Sequence, residues 1–231
     1  MNRKTVGILG GMGPHSTVRL FERIVDKTPA EREQDHLRIL IDNRPQIPDR
    51  TAFILGEGPS PIPMLQESAQ LLERWGAELI AIPCNTAHFF WEHIQAVVQI
   101  PVLNMIELVA KTVSEVAGGR VLLLATTGTV RSGLYQRYLP ADQLILPDEE
   151  IQQSVMDIIY GPEGVKQRGP LPVHEEELEI IIQKFRGEQP AAVIAGCTEI
   201  ELALGETASG LPVIKPLEVL ATAVVSHALS P

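Results

Sequence analysis

The chain has 231 residues, 45% hydrophobic and 21% charged, with a formal net charge of −10. That suits one large or two small globular domains with a real core. The acidic balance argues against nucleic acid or an anionic membrane as partner and requires locally placed cations for any anionic ligand. No apolar run reaches the roughly 18 residues of a membrane span, and no signal peptide is evident ahead of the first strand. The two cysteines do not make a disulfide framework; free thiols in a reducing cytoplasm fit them.

Thr5 to Leu9 is an apolar, strand-like run, followed by GGMGP (Gly10 to Pro14) and a helix over about Ser16 to Val25. Leu37 to Ile41 is a second strand, and the polar, proline-broken segment Asp42 to Arg50 is a loop. The spacing of Leu65, Ala69, Leu72 and Trp75 predicts a helix from about Met64 to Trp75, ended by Gly76. Ala77 to Ile82 is a strand leading into Cys84, with a helix over about Thr86 to Val98, a short strand at Pro101 to Leu103 and a helix over Met105 to Val116.

The pattern then begins again. Val121 to Ala125 is a strand followed by TTGT (Thr126 to Thr129), a helix over Ser132 to Leu139 and a short strand near Gln143 to Leu146. Asp148 to Tyr160 reads as a helix with acidic residues at its start, favourable against the helix dipole. Gly161 to Pro172 reads as a loop, His174 to Phe185 as a helix, and Ala191 to Ala195 as the strand leading into Cys197. Pro212 to Ile214 is a last strand and Leu217 to Leu229 a last helix. Continuous apolar strands alternating with helices predict an α/β fold with mostly parallel sheets.

Three landmarks recur at nearly constant offset. Ala125 follows Gly10 by 115 residues, Cys197 follows Cys84 by 113, and LPVIKPLE follows IPVLNMIE by 111. The repeat predicts two pseudo-symmetric domains, 1–104 with 215–231 and 105–214, facing each other across a cleft that holds the active site. Each half carries one cysteine at a strand's carboxyl end, where parallel sheets present ligands.

GGMGP fits a dinucleotide fingerprint poorly, since Ser16 stands where the third glycine belongs and Asp42 is about 30 residues on. A tight turn, or a backbone pocket for a carboxylate, fits it too. A lone cysteine is more often a small buried hydrophobe than a reactive group, but equivalence under the repeat makes Cys84 and Cys197 a pair. Both stand before helix starts, where the dipole favours thiolate. Neither CxxC nor HExxH spacing occurs, so no metal is expected, and His88 and His93 read as isolated helical residues. Two thiols facing one another suit proton removal from one face of a carbon and its return to the other. No lysine stands in a recognisable pyridoxal phosphate motif, and no cofactor is expected.

GILGGMGP, PCNTAH, TTGT and AGCTEI, in that order along the whole chain, resemble the aspartate/glutamate racemase family of cofactor-independent amino-acid racemases. The resemblance implies Cys84 and Cys197 as the opposed acid–base pair. PQIPDRT resembles the aspartate racemase branch, where Arg50 would contact the substrate's side-chain carboxylate, and Lys166 in GPEGVKQRG matches a branch lysine with a similar task. Glutamate racemases typically have an aspartate–serine pair after the first strand, where this chain has Met12, Gly13 and Pro14; the departure favours aspartate, and Met12 is counted among the substrate-contacting positions. Asn85, Thr86, Thr127 and Thr198 are candidates for the α-carboxylate and amine. Glu199 tunes Cys197 or caps its helix. The implied function is interconversion of L- and D-aspartate by a cytoplasmic homodimer. Its alternatives are a broad-range or glutamate-acting racemase, a maleate isomerase, a non-catalytic binding protein and, last, a nucleotide-dependent oxidoreductase.

Overall fold

A computed structural model of the protein describes residues 3–116 and 118–230. The chain divides into two compact units, Met1–Leu108 with Leu217–Pro231, and Val109–Pro216.

The first unit is built on β1 (Val6–Gly10), whose five residues are all buried. Such a run has no solvent face to alternate with, as parallel strands covered on both sides require. After it come α1 (Pro14–Lys27), β2 (Ile39–Asn43), α2 (Arg50–Ile54), α3 (Ile62–Arg74), β3 (Leu79–Ala81), α4 (Trp91–Gln95) and the first residues of α5 (Met105–Val116), most of which belongs to the second unit. The sheet order is β2-β1-β3, all parallel, and Val102 extends it by a single parallel bridge to Ile80. On α3, Leu65, Ala69 and Leu72 are fully buried, four and three residues apart as one helix face demands.

The second unit runs β4 (Val121–Leu124), α6 (Thr127–Arg131), β5 (Leu144–Ile145), α7 (Glu149–Tyr160), α8 (Val165–Arg168), α9 (Pro172–Lys184), β6 (Ala192–Ala195), α10 (Thr198–Ala203), β7 (Thr207–Ala208) and β8 (Leu211–Ile214). The last helix, α11 (Pro216–Leu229), belongs from Leu217 on to the first unit. The order is β5-β4-β6-β8-β7, parallel except for the β7–β8 pair. With β7 set aside, it repeats the first sheet strand for strand, β8 standing where Val102 makes its bridge.

The structure departs from the sequence expectation at several places. The helix placed over 86–98 is a 3-10 stretch, Thr86–Phe90, followed by the short α4. The strand placed at 101–103 reduces to one bridge, although Ile80 donates to the Pro101 carbonyl and accepts from the Leu103 amide. The helix placed over 132–139 starts earlier as α6, because Thr126 caps it by accepting from the Thr129 amide; only the 3-10 turn Tyr135–Arg137 falls inside the expected span. The loop over 161–172 contains α8, anchored by the buried Val165. Arg50 does not end a loop but opens α2, with Asp49 as its cap.

Candidate functional site

Because the strands other than β7 run parallel, the segments after them emerge at one edge of each sheet. In the first unit these are the glycine turn after β1, the segment from β2 to Arg50, and the Cys84 loop after β3. In the second they are TTGT after β4 and Cys197 after β6.

The glycine turn is structural at Gly10 and Gly11. Gly11 has φ +95°, and a Cβ there would lie 2.4 Å from the Arg44 backbone; at Gly10 it would lie 2.5 Å from the Thr17 side chain. The Gly11 amide donates to Thr17 Oγ1 (2.9 Å) and so is already occupied. The Met12 side chain, counted above among substrate contacts, is 2% exposed and belongs to the same apolar cluster as Leu9, Ile47 and Cys84. It therefore has only backbone groups to offer a ligand.

Cys84 is buried, and its backbone is held from both sides: its amide donates to the Ile82 carbonyl (2.9 Å) and its carbonyl lies 2.8 Å from His88 Nδ1. Asn85 and Thr86, which follow, are buried too. His88 is 3% exposed, and its Nε2 accepts from the Met105 amide (3.1 Å). The sequence presents it as an isolated helical residue; in the structure both its ring nitrogens meet backbone groups. Burial pushes its pKa down against the opposing backbone hydrogen bonds.

Arg50 is 7% exposed, an unusual place for a guanidinium. Its Nη1 donates to the carbonyls of Ile47 (3.0 Å) and Pro48 (2.9 Å), fixing the side chain against its own loop.

Cys197, at the N-terminus of α10, has a different setting. Its thiol donates to Glu199 Oε2 (2.9 Å), to which Thr198 Oγ1 also donates (3.2 Å), while Lys166 Nζ lies 3.2 Å from Glu199 Oε1. Lys166 also lies over the Tyr160 ring, 5.0 Å from its centroid. Burial, then the Glu199 carboxylate, push the Cys197 thiol well above its ordinary range, with Lys166 opposing them. Burial would raise Glu199 as well, but the Lys166 charge and the hydrogen bond from Cys197 outweigh it and hold the carboxyl below its ordinary value. At Cys197 the helix-start argument for thiolate is thus overruled by burial and a neighbouring anion. Of the two readings of Glu199, tuning the thiol is the one the contacts favour.

Two partners escaped the sequence reading. Buried Tyr135 is pushed well up by burial, then by Glu201 and Cys197. Gln152 on α7 donates to the Ala125 carbonyl (2.9 Å) and to Thr127 Oγ1 (3.3 Å), holding the TTGT turn. No isolated residue type flags either one; Gln152 lies 25 residues along the chain from Thr127, and only the fold brings the two together. Lys166, Thr198, Glu199 and Cys197 come together in the second unit, and Met12, Cys84, Asn85, Thr86 and Arg50 all belong to the first. Among the described residues, no helix is long and apolar enough to cross a membrane.

Comparison with known proteins bears on this arrangement. Residues 9–224 match the family model described as Asp/Glu/Hydantoin racemase. The broad specificity amino-acid racemase RacX of Bacillus subtilis is 28% identical over 97% of this chain and 98% of its own length. Among solved structures, Picrophilus torridus aspartate racemase superposes with a TM-score of 0.86 at 35% identity, over 97% of this chain and 94% of its own. An aspartate racemase homologue from Pyrococcus horikoshii OT3 gives 0.75 at 25% identity, over 98% of this chain and all of its own.

Proposed function

This chain belongs to the Asp/Glu/hydantoin racemase family and is an isomerase, and from that premise we propose that it interconverts L- and D-aspartate by proton transfer between two cysteines. One thiolate removes the α-proton, and the other thiol delivers its own proton to the opposite face of the same carbon. The α-carbon inverts, one cysteine ends protonated and the other as thiolate, and the roles exchange in the reverse direction. The observation that carries the reading is the contact set of Cys197, a buried thiol already donating to a carboxylate that an ammonium holds ionised.

In this reading Cys197, whose thiol donates to Glu199, is the acid in the direction in which Cys84 takes the α-proton. When Cys197 gives up its proton, a thiolate stands beside the Glu199 carboxylate; Lys166 limits the repulsion, and the Thr198 hydroxyl, now donating to Glu199, is within one residue to reorient. Arg50 takes the side-chain carboxylate of the substrate, a task that suits a guanidinium held in one rotamer. Asn85, Thr86 and Thr127 serve the α-carboxylate and amine, and Met12 contributes through its backbone. Lys166 was expected to contact substrate directly; its position on Glu199 supports a role through that carboxylate.

Aspartate is favoured by the 35% identical aspartate racemase from Picrophilus torridus. A broad-specificity reading has its own support in the Bacillus subtilis relative, similar over nearly its full length. The reading also takes the enzyme to act without an organic cofactor, as a cytoplasmic homodimer; activity after exhaustive dialysis and sizing in solution test the first and last of these. Circular dichroism of L-aspartate incubated with the protein tests the activity, and α-deuterium incorporation in deuterated water tests the mechanism. Stable optical rotation with aspartate, glutamate and a neutral panel defeats the racemase reading. Rotation lost with glutamate as fast as with aspartate replaces the aspartate assignment by the broad one.

A further inference from the structure

His88 is buried and uses both ring nitrogens on backbone groups. A carbonyl oxygen can only accept, so Nδ1, 2.8 Å from the Cys84 carbonyl, carries the proton. An amide can only donate, so Nε2, 3.1 Å from the Met105 nitrogen, presents its lone pair. The ring is therefore the neutral Nδ1–H tautomer, with no proton to lend and no lone pair to offer. It is neither an acid–base group nor a metal ligand.

Its two bonds join parts of the chain that are 21 residues apart. At one end is the carbonyl of Cys84, and at the other the first amide of α5. The Ile106 and Glu107 amides are taken by Asn104 Oδ1 (3.1 and 3.2 Å), so Asn104 and His88 together serve the first turn of that helix. In a trans peptide the carbonyl and the next amide point in opposite directions. Turning the Cys84 carbonyl to His88 thus turns the Asn85 amide away from it and fixes the peptide plane that carries the cysteine.

We propose that His88 is a positioning residue for Cys84: its Nδ1–H orients the Cys84–Asn85 peptide, and its Nε2 ties that peptide to the N-terminus of α5. The bond to Cys84 sets the reactivity of the thiol, and the bond to Met105 serves stability.

The two bonds separate by substitution, since an asparagine amide nitrogen reaches the Nδ1 position and a glutamine oxygen the Nε2 position. His88→Asn keeps the donor to Cys84 and loses the acceptor for Met105; His88→Gln does the reverse. The readouts are the rate and pH midpoint of iodoacetamide alkylation at Cys84, with Cys197 as internal reference, and kcat and KM for aspartate. In His88→Gln we expect Cys84 alkylation to change about fivefold or more with Cys197 unmoved, and kcat to fall about 30-fold with KM within about threefold, a size consistent with a misplaced reacting group. In His88→Asn we expect Cys84 alkylation as in wild type and kcat recovered to within about threefold. Equal losses in the two variants, or unchanged Cys84 alkylation in His88→Gln, overturn the proposal, as does a fall in folded fraction with full activity per folded molecule. Only the turnover arm rests on the racemase reading. A wild-type protein that racemises nothing defeats that reading and leaves the alkylation arm to decide on His88.

Discussion

The two cysteine loops follow equivalent strands and begin with the same residue type, yet they are held by opposite means. Cys84 is held through its backbone by an uncharged imidazole, and the nearest bonds leave the thiol itself out. Cys197 is held through its sulfur by a charged carboxylate, itself paired with an ammonium. A repeat sets where two groups stand, but it does not set what surrounds them. The surroundings come from His88 on one side and from Glu199 and Lys166 on the other, which the two halves do not share.

The most drastic way to break this comparison is to remove either sulfur. Cys84→Ala and Cys197→Ala should each lower racemisation about 10³-fold or more, the upper part of the range for a positioned acid or base, as read by optical rotation. A single mutant within a factor of a few of wild type would end the two-thiol account.

Next is the charge on one side alone. Glu199→Gln removes the anion that, after burial, raises the Cys197 thiol and leaves Lys166 beside it. The alkylation midpoint of Cys197 should move down and that of Cys84 should stay, while kcat falls roughly 10- to 100-fold. A matched shift at both cysteines would mean that the two settings are not independent.

Lys166→Met should act in the other direction. Without the ammonium, the Cys197 midpoint rises further and Glu199 titrates at higher pH, so the acid limb of the rate profile moves up. The same pair gives a stability test. Glu199 is held below its ordinary value in the folded protein, so its contribution is present above the unfolded-state value of about 4.5 and lost as pH falls through the folded one. Denaturant midpoints measured from pH 6 down to pH 3 should therefore fall less steeply in Glu199→Gln than in wild type.

The smallest effect concerns scaffold rather than chemistry. Gly11→Ala forces a side chain into positive φ and against the Arg44 backbone, at about 1–3 kcal/mol in urea unfolding. The loss should fall on stability while both alkylation midpoints stay where they were.

The fold class was legible because its signal is long and periodic. β1, β3, β4 and β6 are uninterrupted apolar runs, and α3 has a clean buried stripe. What escaped was local: the cap from Thr126 to the Thr129 amide started α6 ahead of the helix that hydrophobic spacing suggested, and β7 is only two residues long, too short for any period. At the site, both cysteines stand out as the only two in the chain. The contacts that distinguish them do not stand out, since Glu199 reads equally as a helix residue and His88 as another imidazole on a helix. Their partners, Lys166 and Met105, lie 33 and 17 residues away along the chain, and only folding brings them together.

Arg50 carries one more consequence. Ordering a long arginine side chain ordinarily costs about 2 kcal/mol of rotamer freedom. Here the carbonyls of Ile47 and Pro48 already hold the guanidinium, which is buried in its own turn. That ordering is completed when the chain folds, so under the proposed role of Arg50 a substrate carboxylate meets a cation already ordered and gives up little affinity to stilling the side chain.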